Sequence, residues 1–276
     1  MGIDEAGRGP VLGPMTYGAA YWSMNDDEAI KKLGYDDSKA LSEDKREKLY
    51  KGIMAEQRIG WVLRVLGARE LSARMLRRAP HSLNAISHAA AAEMIRHALG
   101  RAVALTHVYV DTVGDPDNYA RALRREFPGI GFTVAKKADS LYKTVSAASI
   151  CAKVVRDRAL ARWRYREPGV FAGDAAARAY GSGYPGDARC SAWLRSHVDT
   201  IFGFPDVARF SWSTARDLLE AAAAKVEWEE EEEGDVQGGF GGPQGAPKLD
   251  AFFTRSGQAP RTQYFKRARI ERTYAF

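Results

Sequence analysis

Between residues 82 and 163 the chain alternates helical and extended patterns, and that alternation leaves few folds open to it. Ser82 to Leu99 places Leu83, Ile86, Ala90, Ile95 and Leu99 near helical spacing. Thr106 to Asp111 is a short apolar strand pattern ending in a carboxylate. Asn118 to Glu126 reads as helix, Gly131 to Ala135 as strand, and Leu141 to Trp163 as a long helix with Ala- and Ser-rich faces. Strand, helix and strand in succession predict an α/β sheet with at least one parallel pair.

The flanking segments extend that sheet. Leu12 to Trp22 and Trp61 to Leu66 read as strands, and Ser42 caps a helix over Lys45 to Gln57. Trp193 to Val198 and Ser213 to Ala224 close the body as helices. Met1 to Asp4 has the pattern of a central strand but falls short of the usual length of about 5–6 residues. The chain is therefore expected to begin inside that strand.

Residues 1–225 read as one continuous folded body without internal repeats. Residues 226–247 combine an acidic run with a Gly-rich stretch, a composition that cannot offset its ordering entropy, and are expected to be a disordered linker. Residues 248–276 mix basic residues with Phe252, Phe253, Tyr264, Phe265, Tyr274 and Phe276 and are expected to dock a partner. The overall net charge of +6 conceals seven acidic residues in the linker and leaves residues 1–226 at +8. A body of that charge suits a polyanionic partner. Two cysteines, Cys151 and Cys190, exclude a disulfide scaffold or a Cys-rich zinc module. No apolar run approaches the roughly 20 residues of a membrane helix, and Met1-Gly-Ile-Asp-Glu lacks the features of a secretory signal.

Four carboxylates stand out by position. Asp4 and Glu5 end the first strand pattern, Asp111 ends another, and Asp139 follows a third. Ligand sites in open α/β sheets lie at the carboxyl ends of strands. Neighbouring carboxylates repel, and divalent cations such as Mg2+ or Mn2+ relieve the repulsion with oxygen ligands. Two such ions can serve a phosphodiester displacement. The alternative for Asp111 and Asp139 is an ordinary turn or cap role. Adjacent strand residues point to opposite faces, so for Asp4 and Glu5 to share a site the backbone must turn near Gly7 and Gly9. The run Gly7-Arg8-Gly9-Pro10-Val11-Leu12-Gly13 misspaces the third glycine of a dinucleotide fingerprint. It is better suited to bringing backbone amides against a sugar or phosphate, with Arg8 as a fixed cation.

Several motifs together resemble type 2 ribonuclease H: Asp4-Glu5-Ala-Gly-Arg-Gly-Pro, Asp36-Asp37-Ser38-Lys39, Tyr109-Val-Asp111-Thr-Val-Gly, Lys137-Ala-Asp139-Ser, Ser146 to Asp157, and Tyr180-Gly-Ser-Gly-Tyr184-Pro. Ile201-Phe-Gly-Phe-Pro and Arg209-Phe-Ser-Trp-Ser-Thr-Ala are similar to the eukaryotic catalytic subunit of that family. The resemblance covers about residues 1–225. It implies a ribonuclease H-like mixed five-stranded sheet flanked by helices, with a C-terminal helical extension carrying Tyr184. It implies an endoribonuclease acting on the RNA strand of RNA/DNA hybrids and cutting 5′ of ribonucleotides embedded in duplex DNA. By motif match, Asp4, Glu5, Asp111 and Asp139 are the catalytic ligands of two divalent ions. Gly7, Arg8 and Gly9 would read the ribose 2′-hydroxyl, Tyr184 would stack on the next sugar, and Lys39 would contact a phosphate. The products would carry 5′-phosphate and 3′-hydroxyl. Two accessory subunits, forming a heterotrimer, and a nuclear location follow from the same resemblance. The other reading of these residues is a non-catalytic nucleic-acid-binding scaffold of the same fold.

The tail offers two weaker motifs. Leu249-Asp-Ala-Phe252-Phe253 is similar to a sliding-clamp-binding box, although Ala246 stands where Gln is expected. Lys266-Arg267-Ala-Arg269 has the composition of a nuclear-import patch. His81, His88, His97, His107 and His197 show no metal-ligand spacing, and Cys151 and Cys190 are expected to pack as small buried residues.

Overall fold

A computed structural model describes residues 1–35, 41–167 and 178–224. Five strands form one mixed sheet: β1 (Gly2–Ala6), β2 (Met15–Tyr21), β3 (Gly60–Leu66), β4 (His107–Asp111) and β5 (Gly131–Ala135), in the order β3-β2-β1-β4-β5. The first three are antiparallel neighbours. β1, β4 and β5 run parallel, so their carboxyl ends share one edge. Gly2 pairs with Tyr109 and Ile3 with Val110. One step further, the register sets Asp4 beside Asp111.

Helices cover both faces. On one, α4 (Leu83–Gly100) and α5 (Pro116–Glu126) bury Ile3, Met15, Tyr17, Val108, Val110 and Phe132 in the main core. Ser82 and Asp115 start these helices by accepting backbone N–H bonds. On the other face, α7 (Lys143–Ala161) lies across β1 and β2. The approach is close because small residues meet: a Cβ on Gly18 would stand 2.4 Å from the Ala148 carbonyl oxygen. Beyond α7, α1 (Asp27–Lys31) and α2 (Glu43–Ala55) enclose a third cluster around Ile30, Ile53 and Cys151.

The helical extension comprises α8 (Ala188–Ser196) and α9 (Ser213–Ala222). It has its own core of Leu160, Tyr180, Cys190, Trp193, Leu194, Phe204 and Val207, which also takes in Val11 and Leu12 from the loop after β1. The extension is thereby packed directly on the glycine turn.

Several boundaries differ from the sequence expectation. β1 continues past Asp4 to Ala6 and pairs with β2 over all five of its residues, so it has ordinary strand length rather than a stub. β2 starts at Met15, because Pro10 and Pro14 flank a turn in which Leu12 bridges instead to Ala208. A short helix, α6 (Ala138–Leu141), precedes α7 and contains Asp139. Another helix, α3 (Ala68–Leu76), follows β3. The linker 226–247, the segment 248–276, and Lys39 with its Asp-Ser-Lys motif lie outside the described residues.

Candidate active site

The strand ends bring the carboxylates to one edge. Asp4 is 4% exposed and lies under α7, where Ser149 offers its hydroxyl and the Glu5 amide donates to Oδ1 at 2.7 Å. Burial, then the charges of Glu5 and Asp111, hold the Asp4 carboxyl well above the usual carboxylate range. A buried carboxyl pushed up by two carboxylate neighbours is an electrostatic cost that a cation relieves.

Asp111 and Asp139 are linked by backbone. Asp111 Oδ1 accepts the Ala138 amide at 2.9 Å, which fixes the turn from β5 into α6. Lys137 in that turn adopts φ 56°, a left-handed conformation uncommon outside glycine. Asp139 follows, 1% exposed. Asp111 does hold a turn, the one into α6, but neither residue is a helix cap by its own position. Asp115, not Asp111, caps α5, and Asp139 sits within α6 rather than capping it.

Glu5 projects to the other face. It pairs with Tyr17 across the antiparallel strands, and opposite residues in such a pair share a face. Its charge raises the pKa of the Tyr17 and Tyr119 phenols, on top of the larger effect of burial. Among the described residues, no three acidic, histidine or cysteine side chains form a ready-made ligand cage. The structure instead shows an oxygen-rich strand edge with Asp4 in electrostatic reach of both Glu5 and Asp111. That donor chemistry suits hard cations.

Beside this edge stands the glycine turn. Gly7 has φ +79°, and a Cβ there would lie 2.7 Å from the Pro14 carbonyl oxygen. Arg209, fully buried, donates to the carbonyls of Gly7 at 2.6 Å, Gly13 at 2.8 Å and Arg8 at 3.2 Å. Burial, with Arg156 adding repulsion, lowers its pKa to about 9. Trp212 Nε1 donates to the Gly9 carbonyl at 3.1 Å. The Arg8 guanidinium is docked on the start of α4, donating to Ser87 Oγ at 2.7 Å and to Asn84 Oδ1.

Tyr184 covers the turn. A Cβ on Gly9 would stand 3.2 Å from its ring, and the loop is tied down by the amides of Val11 and Leu12, which donate to the Gly183 carbonyl. Buried Arg156 lies 5.8 Å from the ring centre of Tyr184 and donates to the Ser182 carbonyl at 2.7 Å. Tyr184 is 45% exposed, a surface on which a sugar or base can stack.

The structure thus sets Asp4 beside Asp111 at one edge, with Asp139 following the Ala138 amide that Asp111 accepts, while Glu5 lies at the same strand end but on the opposite face of β1, which runs straight on to Ala6 without the turn expected there; Gly7, Arg8, Gly9 and Tyr184 stand alongside. It adds Arg156, Arg209, Asn84, Ser87 and Trp212 as supports whose roles the sequence did not expose. Basic residues at conspicuous motif positions were the one available signal for the two arginines. The remaining decoys have other work: His88 stacks on Tyr119, His107 bonds the Thr133 hydroxyl, and His197 stacks on Trp193. Burial pushes the Cys151 thiol to about 12 and Cys190 to about 11, far from nucleophilic.

A family model described as Ribonuclease HII matches residues 1–215. The A subunit of ribonuclease H2 from Bos taurus is 45% identical over 259 residues, 94% of this chain and 83% of that protein. The Arabidopsis thaliana protein of the same name is 47% identical over 252 residues, 91% and 83%. Among solved structures, the ribonuclease H2 from Pyrococcus horikoshii OT3 has a TM-score of 0.65 at 31% identity and covers 80% of this chain and 96% of that one. A structure of the PCNA:RNase HII complex from Archaeoglobus fulgidus gives 0.64 at 32%, covering 79% and 95%. A match that spans both carboxylate strands, the glycine turn and the tyrosine above it leaves one assignment: this chain belongs to the ribonuclease HII family.

Proposed function

We propose that this type 2 ribonuclease H, an endoribonuclease, cuts the RNA strand of RNA/DNA hybrids and the 5′ side of single ribonucleotides in duplex DNA. The observation that carries this reading is the placement of the Asp4 and Asp111 strand ends next to a rigid glycine turn overlaid by Tyr184. Asp4, Glu5, Asp111 and Asp139 would hold two divalent ions, Mg2+ or Mn2+. When bound, those ions supply the Lewis acidity and positive charge for hydrolysis to 5′-phosphate and 3′-hydroxyl ends.

The chain's own residues select the substrate. The Gly7–Gly9 backbone, immobilised by Arg209 and Trp212, lets a ribose approach closely and offers polar groups to its 2′-hydroxyl, the feature that separates RNA from DNA. Arg8, held by Asn84 and Ser87, presents a fixed cation to a phosphate. Tyr184 stacks on the following sugar and senses the RNA-to-DNA junction. Lys39 contributes a further phosphate contact. Retention of all four carboxylates and of Tyr184 favours catalysis over a scaffold role.

The chain works in a complex with two accessory subunits, in keeping with its similarity to proteins named as one subunit of ribonuclease H2, and acts in the nucleus. The PCNA complex of the Archaeoglobus protein gives a precedent for clamp binding through Leu249–Phe253, against which Ala246 counts.

The test is cleavage of two labelled duplexes, one with a single ribonucleotide and one all-DNA, with Mg2+ or with EDTA. The expected result is a metal-dependent cut 5′ of the ribonucleotide and an intact all-DNA duplex. Failure to cut when accessory subunits are also present would overturn the reading.

A further inference from the structure

Two buried tyrosine hydroxyls feel the charge of Glu5. Tyr17 is 2% exposed and Tyr119 is 1% exposed, both in the main core. Neither hydroxyl closes a hydrogen bond; Ser87 faces Tyr17 but does not reach full bonding geometry. An unmatched buried hydroxyl costs about 1–3 kcal/mol. Phenylalanine at either site would remove that cost while keeping the ring.

Strand register sets one phenol beside Glu5, and the other feels the charge of the same carboxylate. Tyr17 is the direct cross-strand partner of Glu5. Tyr119 arrives from α5, its ring stacked on His88 at 3.7 Å and 11°. His88 in turn meets the Val113 carbonyl at 3.3 Å in the loop after Asp111. Ser87, which faces Tyr17, receives Arg8 of the glycine turn. Arg8 of the glycine turn is thus tied to α4 through Ser87, and Tyr119 is tied through His88 of the same helix to the loop following Asp111.

We propose that Tyr17 and Tyr119 are positioning residues for Glu5, donating to the core-facing side of its carboxylate through a bridging water, so that its remaining lone pairs are presented at the strand edge. At neutral pH both phenols are donors. Second-layer donors of this kind orient a carboxylate ligand and set how well it binds an ion. The inference rests on the reading of Glu5 as a ligand for a divalent ion.

The experiment compares the full chain with Tyr17→Phe, Tyr119→Phe and the double variant. Free Mn2+ is followed by electron paramagnetic resonance, and melting temperature is measured in EDTA. The expected result is a melting temperature unchanged or raised, with Mn2+ affinity lowered about 10-fold in each single variant. Wild-type affinity in both would overturn the inference. So would a loss of affinity matched by a lower melting temperature, which marks a merely structural role. If the unaltered chain binds Mn2+ no better than Asp111→Asn, the metal reading itself fails, whatever the tyrosines do.

Discussion

Arg209 donates to the Gly7 carbonyl at 2.6 Å across 202 positions of sequence, from a side chain with no exposed surface. A charge buried at that cost is held by the three carbonyls it satisfies, and those carbonyls are the glycine turn. Arg209→Lys is expected to fail nearly as badly as Arg209→Ala, since a single ammonium cannot span the three acceptors that the planar guanidinium does. Either change should cost about 3 kcal/mol or more in stability, read as a lower urea midpoint. A midpoint within error of wild type for the Lys variant would refute the bracing role.

Gly7 itself tolerates no side chain. Gly7→Ala forces an L-residue to φ +79° and sets a Cβ 2.7 Å from the Pro14 oxygen and 3.1 Å from Arg156 Cγ. The conformation alone costs about 1–2 kcal/mol. Because the turn must shift to relieve the clash, cleavage at a ribonucleotide should fall further than stability does. Equal stability and rate to wild type would show that the turn adapts freely.

Asp4 gives a pH prediction. Its folded pKa is raised, so its contribution to stability is full below the unfolded value near 3.8 and is lost as pH rises through the folded value. In EDTA, Asp4→Asn should therefore melt higher than wild type at neutral pH, and the gap should close toward pH 4. Mg2+ should raise the wild-type melting temperature more than that of the variant. A constant gap across pH would exclude Asp4 ionisation as its origin.

Much of this was legible in the chain. A parallel pair was visible because short β-rich runs alternate with periodic helices, and Ser42 marked a helix start as an N-cap does. α3 was not, because it follows Gly67 without a side-chain cap, and α1 is too short to show a period. The carboxylates were legible because strand ends are local features. The bracing of the turn was not: the acceptors of Arg209 are main-chain carbonyls, which no side-chain spacing encodes. The same holds for the stack of Tyr119 on His88, made only when α5 packs beside α4.

Asp111→Asn removes one charge but keeps an oxygen able to accept the Ala138 amide, so the turn into α6 should survive. Cleavage should drop about 10³-fold, the equivalent of several kcal/mol of transition-state stabilisation. Hybrid binding, measured by fluorescence anisotropy at fixed salt, should stay within a few-fold. Near-normal turnover would remove Asp111 from the catalytic set.

Tyr184 separates stacking from hydroxyl chemistry. Its ring lies over Gly9 with Arg156 beside it, and nearly half its surface is open. Stacking of an aromatic on a nucleotide is worth about 1–3 kcal/mol, so Tyr184→Ala should slow cleavage at a single embedded ribonucleotide by about 10- to 100-fold. On a long RNA/DNA hybrid the loss should be smaller, because every step there offers a ribose to the glycine turn and no junction need be found. Tyr184→Phe keeps the ring and should retain most activity on both substrates. The three rates, taken on the two duplexes with one metal concentration, decide the matter. Equal losses on both substrates in the Ala variant would make Tyr184 a general binding residue, and unchanged rates at the single ribonucleotide would remove it from the site.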